Sequence, residues 1–178
     1  MEFFCFHRDR PGSSAVREAT LEAHWSYMDG YAAHMIARGP TLDGDGTPTG
    51  SVHVLELPDP AAARAFAFDE PTYQAGGYRD VLLRRWRSST PGATMADSPG
   101  ERSGYLVLGL GEGGPVDVDR PAGHDLIAHG SLVSDDGATW LGTAALTRAP
   151  GPDAARALLT QDRYAAVEVR SWQFGGRR

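Results

Sequence analysis

The sequence predicts an α+β fold, with two tandem ferredoxin-like βαββαβ units packing sheet-to-sheet as an intrachain pseudo-dimeric α+β barrel. The first observation behind this is that the chain is written twice. Ala37–Gly46 (ARGPTLDGDG) aligns with Ala128–Gly137 (AHGSLVSDDG), Pro58–Ala65 (PDPAAARA) with Pro150–Ala157 (PGPDAARA), and Val81–Trp86 (VLLRRW) with Val167–Trp172 (VEVRSW). Three blocks in the same order mark an internal repeat. The second is the order of apolar periodicities in the first copy, β-α-β-β-α-β, which leaves one face of a four-stranded sheet without helices. Two such sheets in one chain can cover each other. The third is size: 178 residues, 41% of them hydrophobic, hold enough apolar mass for one average domain or two very small ones.

Each element has a local cause. Phe3 to His7 is a short aromatic run closed by Asp9-Arg10-Pro11-Gly12, a strand followed by a turn. Ser13 or Ser14 can cap the helix that follows, in which Val16, Thr20, Ala23, Tyr27 and Tyr31 recur at three- and four-residue steps, so the helix is expected to run to about Met35. Ile36–Asp43 and Ser51–Leu57 flank Asp45-Gly46-Thr47-Pro48 and read as a hairpin. Pro60 suits the first turn of a helix over Ala61–Phe68, and Val81–Trp86 is the last strand of the copy. Residues 1–87 are therefore expected to form the first unit. The Ser-, Pro- and Gly-rich residues 88–102 connect it to a second unit at 103–178. That second unit is degenerate. After Tyr105–Leu110, two prolines and four glycines between Gly111 and Gly123 forbid a long helix, so any single pocket belongs to the first copy.

Composition excludes several kinds of chemistry. All 17 basic residues are arginine, which removes Schiff-base, pyridoxal-phosphate and P-loop lysine chemistry. The charge of −6 is shared evenly, with 12 acids and 9 bases in residues 1–90 and 11 and 8 in residues 91–178, so no basic face for nucleic acid is visible. Cys5 is the only cysteine, which forbids an intrachain disulfide and fits a reducing, cytoplasmic setting. No run approaches the ~20 apolar residues of a membrane span, so neither export nor membrane insertion is expected. The histidines at 7, 24, 34, 53, 124 and 129 lack metal-ligand spacing, so no metal and no cofactor is implied.

The candidate site lies on the first helix. Arg17, His24 and Tyr31 are seven residues apart and project in nearly one direction, with Leu21 and Met28 between them. Histidine titrates near neutral pH, so His24 is the candidate proton-transfer group, and a carboxylate beside it would orient it. Asp43 is the first choice, with Asp9 and Asp45 as competitors. Arg17 or Arg38 would hold a substrate carboxylate or enolate, and Tyr31 and Asp9 would complete the substrate site. The competing explanation makes His24 an ordinary half-buried, hydrogen-bonded helix residue. Cys5 and His7 share a strand face and make a conceivable nucleophile–base pair. His53 could join His7 across the sheet and line the barrel interior, although satisfied packing histidines are the simpler explanation for both. The four tryptophans, Trp25, Trp86, Trp140 and Trp172, are core and interface bulk. Gly109 to Gly114 lack the following helix that a phosphate loop needs.

Phe3 to Gly12 (FFCFHRDRPG), His24-Trp25-Ser26-Tyr27-Met28, Arg38 to Asp43 (RGPTLD) and Glu70 to Gly76 (EPTYQAG) together resemble YCII-related proteins across essentially all of residues 1–87. The second copy resembles them only through its hairpin, second helix and last strand. The resemblance implies a ferredoxin-like unit that pairs into a dimeric α+β barrel, a histidine–aspartate site with His24 as the histidine, and lyase-type chemistry linked to aromatic breakdown. It also shows a departure: the family's Asp-Pro-aromatic run is Glu70-Pro71-Thr72 here, with the ring delayed to Tyr73. Two functions follow as expectations. One is a cofactor-independent lyase or isomerase moving a proton on a small aromatic or unsaturated organic acid. The other is a non-catalytic binding or assembly module. Either takes a small-molecule ligand and self-associates through the sheet face, within the chain and as a homodimer.

Overall fold

The computed structural model describes residues 1–89, 103–116, 119–159 and 162–175. The first half runs β1 (Glu2–Asp9), α1 (Ser14–Asp29), β2 (Met35–Leu42), β3 (Pro48–Glu56), α2 (Pro60–Phe68), α3 (Pro71–Gln74) and β4 (Tyr78–Ser88). The second runs β5 (Ser103–Leu110), β6 (Asp125–Val133), β7 (Trp140–Arg148), α4 (Pro152–Arg156) and β8 (Ala166–Gln173). The eight strands close into one barrel in the order β1-β3-β2-β8-β5-β7-β6-β4. Within it β4-β1-β3-β2 and β8-β5-β7-β6 repeat one pattern, each the split order of a ferredoxin-like sheet. The two sheets meet edge to edge at antiparallel seams. Thr41 pairs with Trp172 and Leu42 with Ser171 at one, and Arg85–Ser88 pair with Val133–Gly130 at the other.

Strand alternation sorts the core. Phe4 and Phe6 of β1, Val52 and Val54 of β3, Trp86, Leu106, Leu108, Leu132, Leu146 and Trp172 fill the barrel from both halves. The intervening residues of β1, Phe3 and Cys5, face outward and pack with Met28, Leu55 and Phe66 beneath the helices. Here the structure corrects an expectation. His7 and His53 are on this outer, helix-covered side and do not line the barrel interior: their ring centroids lie 5.8 Å apart, and His53 packs edge-on to Phe66 at 5.4 Å.

Other differences from the sequence reading are local. α1 stops at Asp29, and Ala32–His34 form a turn of 3-10 helix instead of continuing it. Ser13 occupies the position before α1, yet its side chain makes no capping bond. α3 is a short helix that periodicity could not reveal. No helix forms between β5 and β6 among the described residues, as the prolines and glycines there require. Residues 90–102 of the expected connector lie outside the described residues. No helix among the described residues is long and apolar enough to cross a membrane.

Candidate active site

α1 lies across the outer face of β2 and β3, and a cavity of about 260 Å³ remains between them. Arg17, His24, Trp25 and Met28 line it from α1, Arg38 from β2, Ser51 and His53 from β3, and Phe174 from the segment just past β8. The second half of the chain thus supplies one wall of a cavity built mainly by the first. Gly175 N–H donates to the Arg38 carbonyl at 3.0 Å, and Trp172 Nε1–H donates to the Gly39 carbonyl at 3.2 Å, which fixes that wall.

His24 does have a carboxylate beside it, and it is Glu70, not Asp43. The His24 Nδ1 to Glu70 Oε1 distance is 2.7 Å, and the Glu70 side chain is fully buried. Glu70 immediately precedes Pro71, which restricts it to extended backbone, and its carboxylate caps α3. Oε1 accepts from Thr72 N–H at 3.0 Å and Oε2 from Tyr73 N–H at 2.7 Å. A hydrogen bond of 2.9 Å between Thr20 and Thr72 ties α3 to α1. Burial pushes the Glu70 carboxyl up, but the bond to His24 and the two amides outweigh it and hold the group below its ordinary value. An ionised Glu70 accepts the proton on His24 Nδ1, so the neutral form of the ring is the Nδ1–H tautomer, with Nε2 as its acceptor nitrogen.

The remaining sequence candidates separate. Asp43 sits in the exposed β2–β3 hairpin, where Oδ1 accepts from the Thr47 and Asp45 amides, and Asp45 is in the same turn; neither lines the cavity. Asp9 is held by Arg17, with Arg17 Nε to Oδ2 at 2.6 Å and Nη2 to Oδ1 at 2.8 Å, so it is a support for Arg17 and has no contact with the cavity. Arg17 Nη2 also donates to Ser51 Oγ at 3.0 Å, which locks that guanidinium on the cavity floor. Arg38 is the more available cation, with only long contacts, 3.5 Å to the Met28 carbonyl and 3.9 Å to Asp29. Tyr31 falls beyond the end of α1 and packs against Phe66 and Tyr27, away from the cavity. Cys5 and His7 do pair, Sγ to Nδ1 at 3.6 Å, but both are fully buried and burial pushes the thiol up, so the pair is structural. No cluster of metal-ligating side chains is present among the described residues.

Residues 1–87 match the model of the YCII-related domain. The chain belongs to the YCII-related family. One similar solved structure is 5-chloro-2-hydroxyhydroquinone dehydrochlorinase (TftG) from Burkholderia phenoliruptrix, in complex with 2,5-dihydroxybenzoquinone. It is 30% identical over 49% of this chain and 94% of that one, with a TM-score of 0.47. A monooxygenase-like protein from Lactobacillus acidophilus matches over 98% of this chain and 97% of its own at 10% identity and a TM-score of 0.49. At that identity the likeness says nothing about activity. No curated protein matches the chain. Within this YCII-related unit, Glu70 stands at the aspartate of the family's Asp-Pro run. The signal for the missing partner was therefore in the sequence, carried by an acid before a proline instead of by proximity to His24.

Proposed function

We propose that the chain is a lyase- or isomerase-type enzyme that moves protons on a small aromatic or unsaturated organic acid, a phenolic hydroxyl serving as the acid. One observation carries this reading: an imidazole locked by a buried carboxylate and lining a cavity. Neutral His24 takes the proton from a substrate hydroxyl through Nε2, and Glu70 orients the ring and stabilises the imidazolium that forms. The O–H electron pair becomes a C=O bond and the ring electrons shift. In the isomerase outcome a ring carbon takes the proton. Where that carbon bears chlorine, loss of a second hydroxyl proton then expels chloride with its bonding pair, and the net change is loss of HCl. Arg38 faces the oxygen on which negative charge develops. The similarity to TftG, which is named for acting on a chlorinated hydroxyhydroquinone, supports this substrate class.

The domain organisation belongs to the same reading. Residues 1–87 carry the site, 88–102 connect, and 103–178 are a second, degenerate copy that closes the barrel.

The test uses 5-chloro-2-hydroxyhydroquinone under anaerobic conditions, following chloride release and quinone absorbance. The wild type is expected to exceed the blank, with His24→Ala losing about 10²-fold or more. Glu70→Gln should lose less, because an amide still contacts Nδ1 without stabilising the cation. A wild-type rate equal to the blank, or His24→Ala as fast as the wild type, overturns the assignment. Binding without turnover would favour a non-catalytic ligand carrier.

A further inference from the structure

Three histidine rings run inward from the cavity. His24 and His53 lie 6.4 Å apart between ring centroids, and His53 and His7 lie 5.8 Å apart. Two of the three are satisfied by the protein, since His24 meets Glu70 and His7 Nε2 meets the Ala67 carbonyl at 2.8 Å. His53 is different. It is 2% exposed, lies at the middle of β3 opposite Cys5 and Arg38, and lines the cavity. Its Nδ1 is buried with no hydrogen-bond partner, and the ring makes no hydrogen bond to any described residue. Buried polar side chains in folded proteins are paired; Nδ1 stays an orphan acceptor against the protein, but the other ring nitrogen, Nε2, has no partner among the described residues on the cavity wall and is the one a bound molecule would complete.

We propose that His53 is a ligand-contacting residue, a neutral imidazole that donates its Nε2–H to a carbonyl or phenolate oxygen of a single-ring ligand. This deepens the proton-transfer reading above and rests on it for the ligand class. The choice of donor follows from burial. Nδ1 is turned into protein, so a proton there would be an orphaned buried N–H, which is rarer than an orphaned acceptor. The proton therefore sits on Nε2, the nitrogen left to the cavity. Burial first, then the two neighbouring imidazoles, then Arg38 and Arg17 facing the same space, hold His53 well below its ordinary value and neutral. Size sets the ligand. Cavities for drug-sized molecules begin near ~300 Å³, and this one, at about 260 Å³, accepts one ring with its substituents. Such a ring would have an ionisable proton facing His24 and an oxygen acceptor facing His53, and Phe174 and Trp25 offer aromatic faces in the same cavity.

The experiment titrates the wild type, His53→Phe and His53→Gln with 2,5-dihydroxybenzoquinone, reading the ligand's absorbance. His53→Phe keeps the ring bulk and removes the donor, and it should bind about tenfold more weakly, the loss expected for one hydrogen bond to a charged or polar oxygen. His53→Gln restores an N–H and should recover part of that loss. Imidazole nitrogen NMR of the wild type needs no variant to fold: it should show the Nε2–H tautomer, with the His53 signals moving on ligand addition and the His7 signals unmoved. Equal affinity in His53→Phe and wild type overturns the proposal, as does an Nδ1–H tautomer, or no binding to the wild type at millimolar ligand. The two readings fail separately. Turnover that depends on His24 and ignores His53→Phe removes only His53 from the site. Binding that depends on His53 without turnover removes only the reaction.

Discussion

At the residue scale, the histidines tie this chain's stability to pH. Burial lowers His7, His53 and His129, the last to about 4. Unfolded, each would titrate near ~6.5. Between that value and the folded one only the unfolded chain binds the proton, so stability is full above pH ~6.5 and falls as the pH drops below it. The lowered Glu70 acts in the same direction at lower pH: its contribution is present above the ordinary carboxylate range and is lost as pH falls through the folded value. Asp9, raised by burial against the pull of Arg17, works in the opposite sense and only in the carboxylate range. The thermal midpoint is therefore expected to fall by several degrees between pH 7.5 and 5.5. A flat profile over that window would contradict the neutral, buried state of these rings. His24 was legible in the sequence because helical spacing and residue chemistry point the same way. Glu70 was legible only as the acid of a Glu-Pro run, because no spacing or periodicity ties it to His24 across 46 residues of chain.

At the element scale, two glycines explain why Ala37-Arg38-Gly39 and Ala128-His129-Gly130 share a pattern. A Cβ on Gly39 would collide with the backbone carbonyl of Gln173, and one on Gly130 with that of Arg87. Each lies in the second strand of its half, where the last strand of the other half crosses. Backbone cannot yield as a flexible side chain can, so Gly39→Ala should push the end of β8 away from β2 and displace Phe174 from the cavity. A loss of about 2 kcal/mol or more in chemical denaturation is expected, within the range of severe packing defects. Unchanged stability, or unchanged affinity for a cavity ligand, would show that the seam tolerates a gap. The strands were readable because β1 and β3 carry apolar or β-branched runs bounded by turns. The end of α1 was not, since Tyr27 and Tyr31 keep the helical spacing while the backbone turns aside after Asp29, with Gly30 next.

At the scale of the whole molecule, duplicated blocks made a two-sheet arrangement legible, and the barrel has it. The expected barrel is there, and what the blocks do not specify is which edges close it, because closure depends on strand-edge pairing, β2 with β8 and β4 with β6, and not on which faces are apolar. Since both joins are between strands of the same polypeptide, assembling the cylinder is a unimolecular event. Its melting temperature should stay constant over a hundredfold dilution, and a drop on dilution would mean that separate molecules hold it together. A symmetric pair of identical chains must copy every amino-acid change into two places. This molecule copies none, so one half of the cylinder carries the long helix α1, whose His24 faces Glu70, while the other half has no helix between β5 and β6 among the described residues.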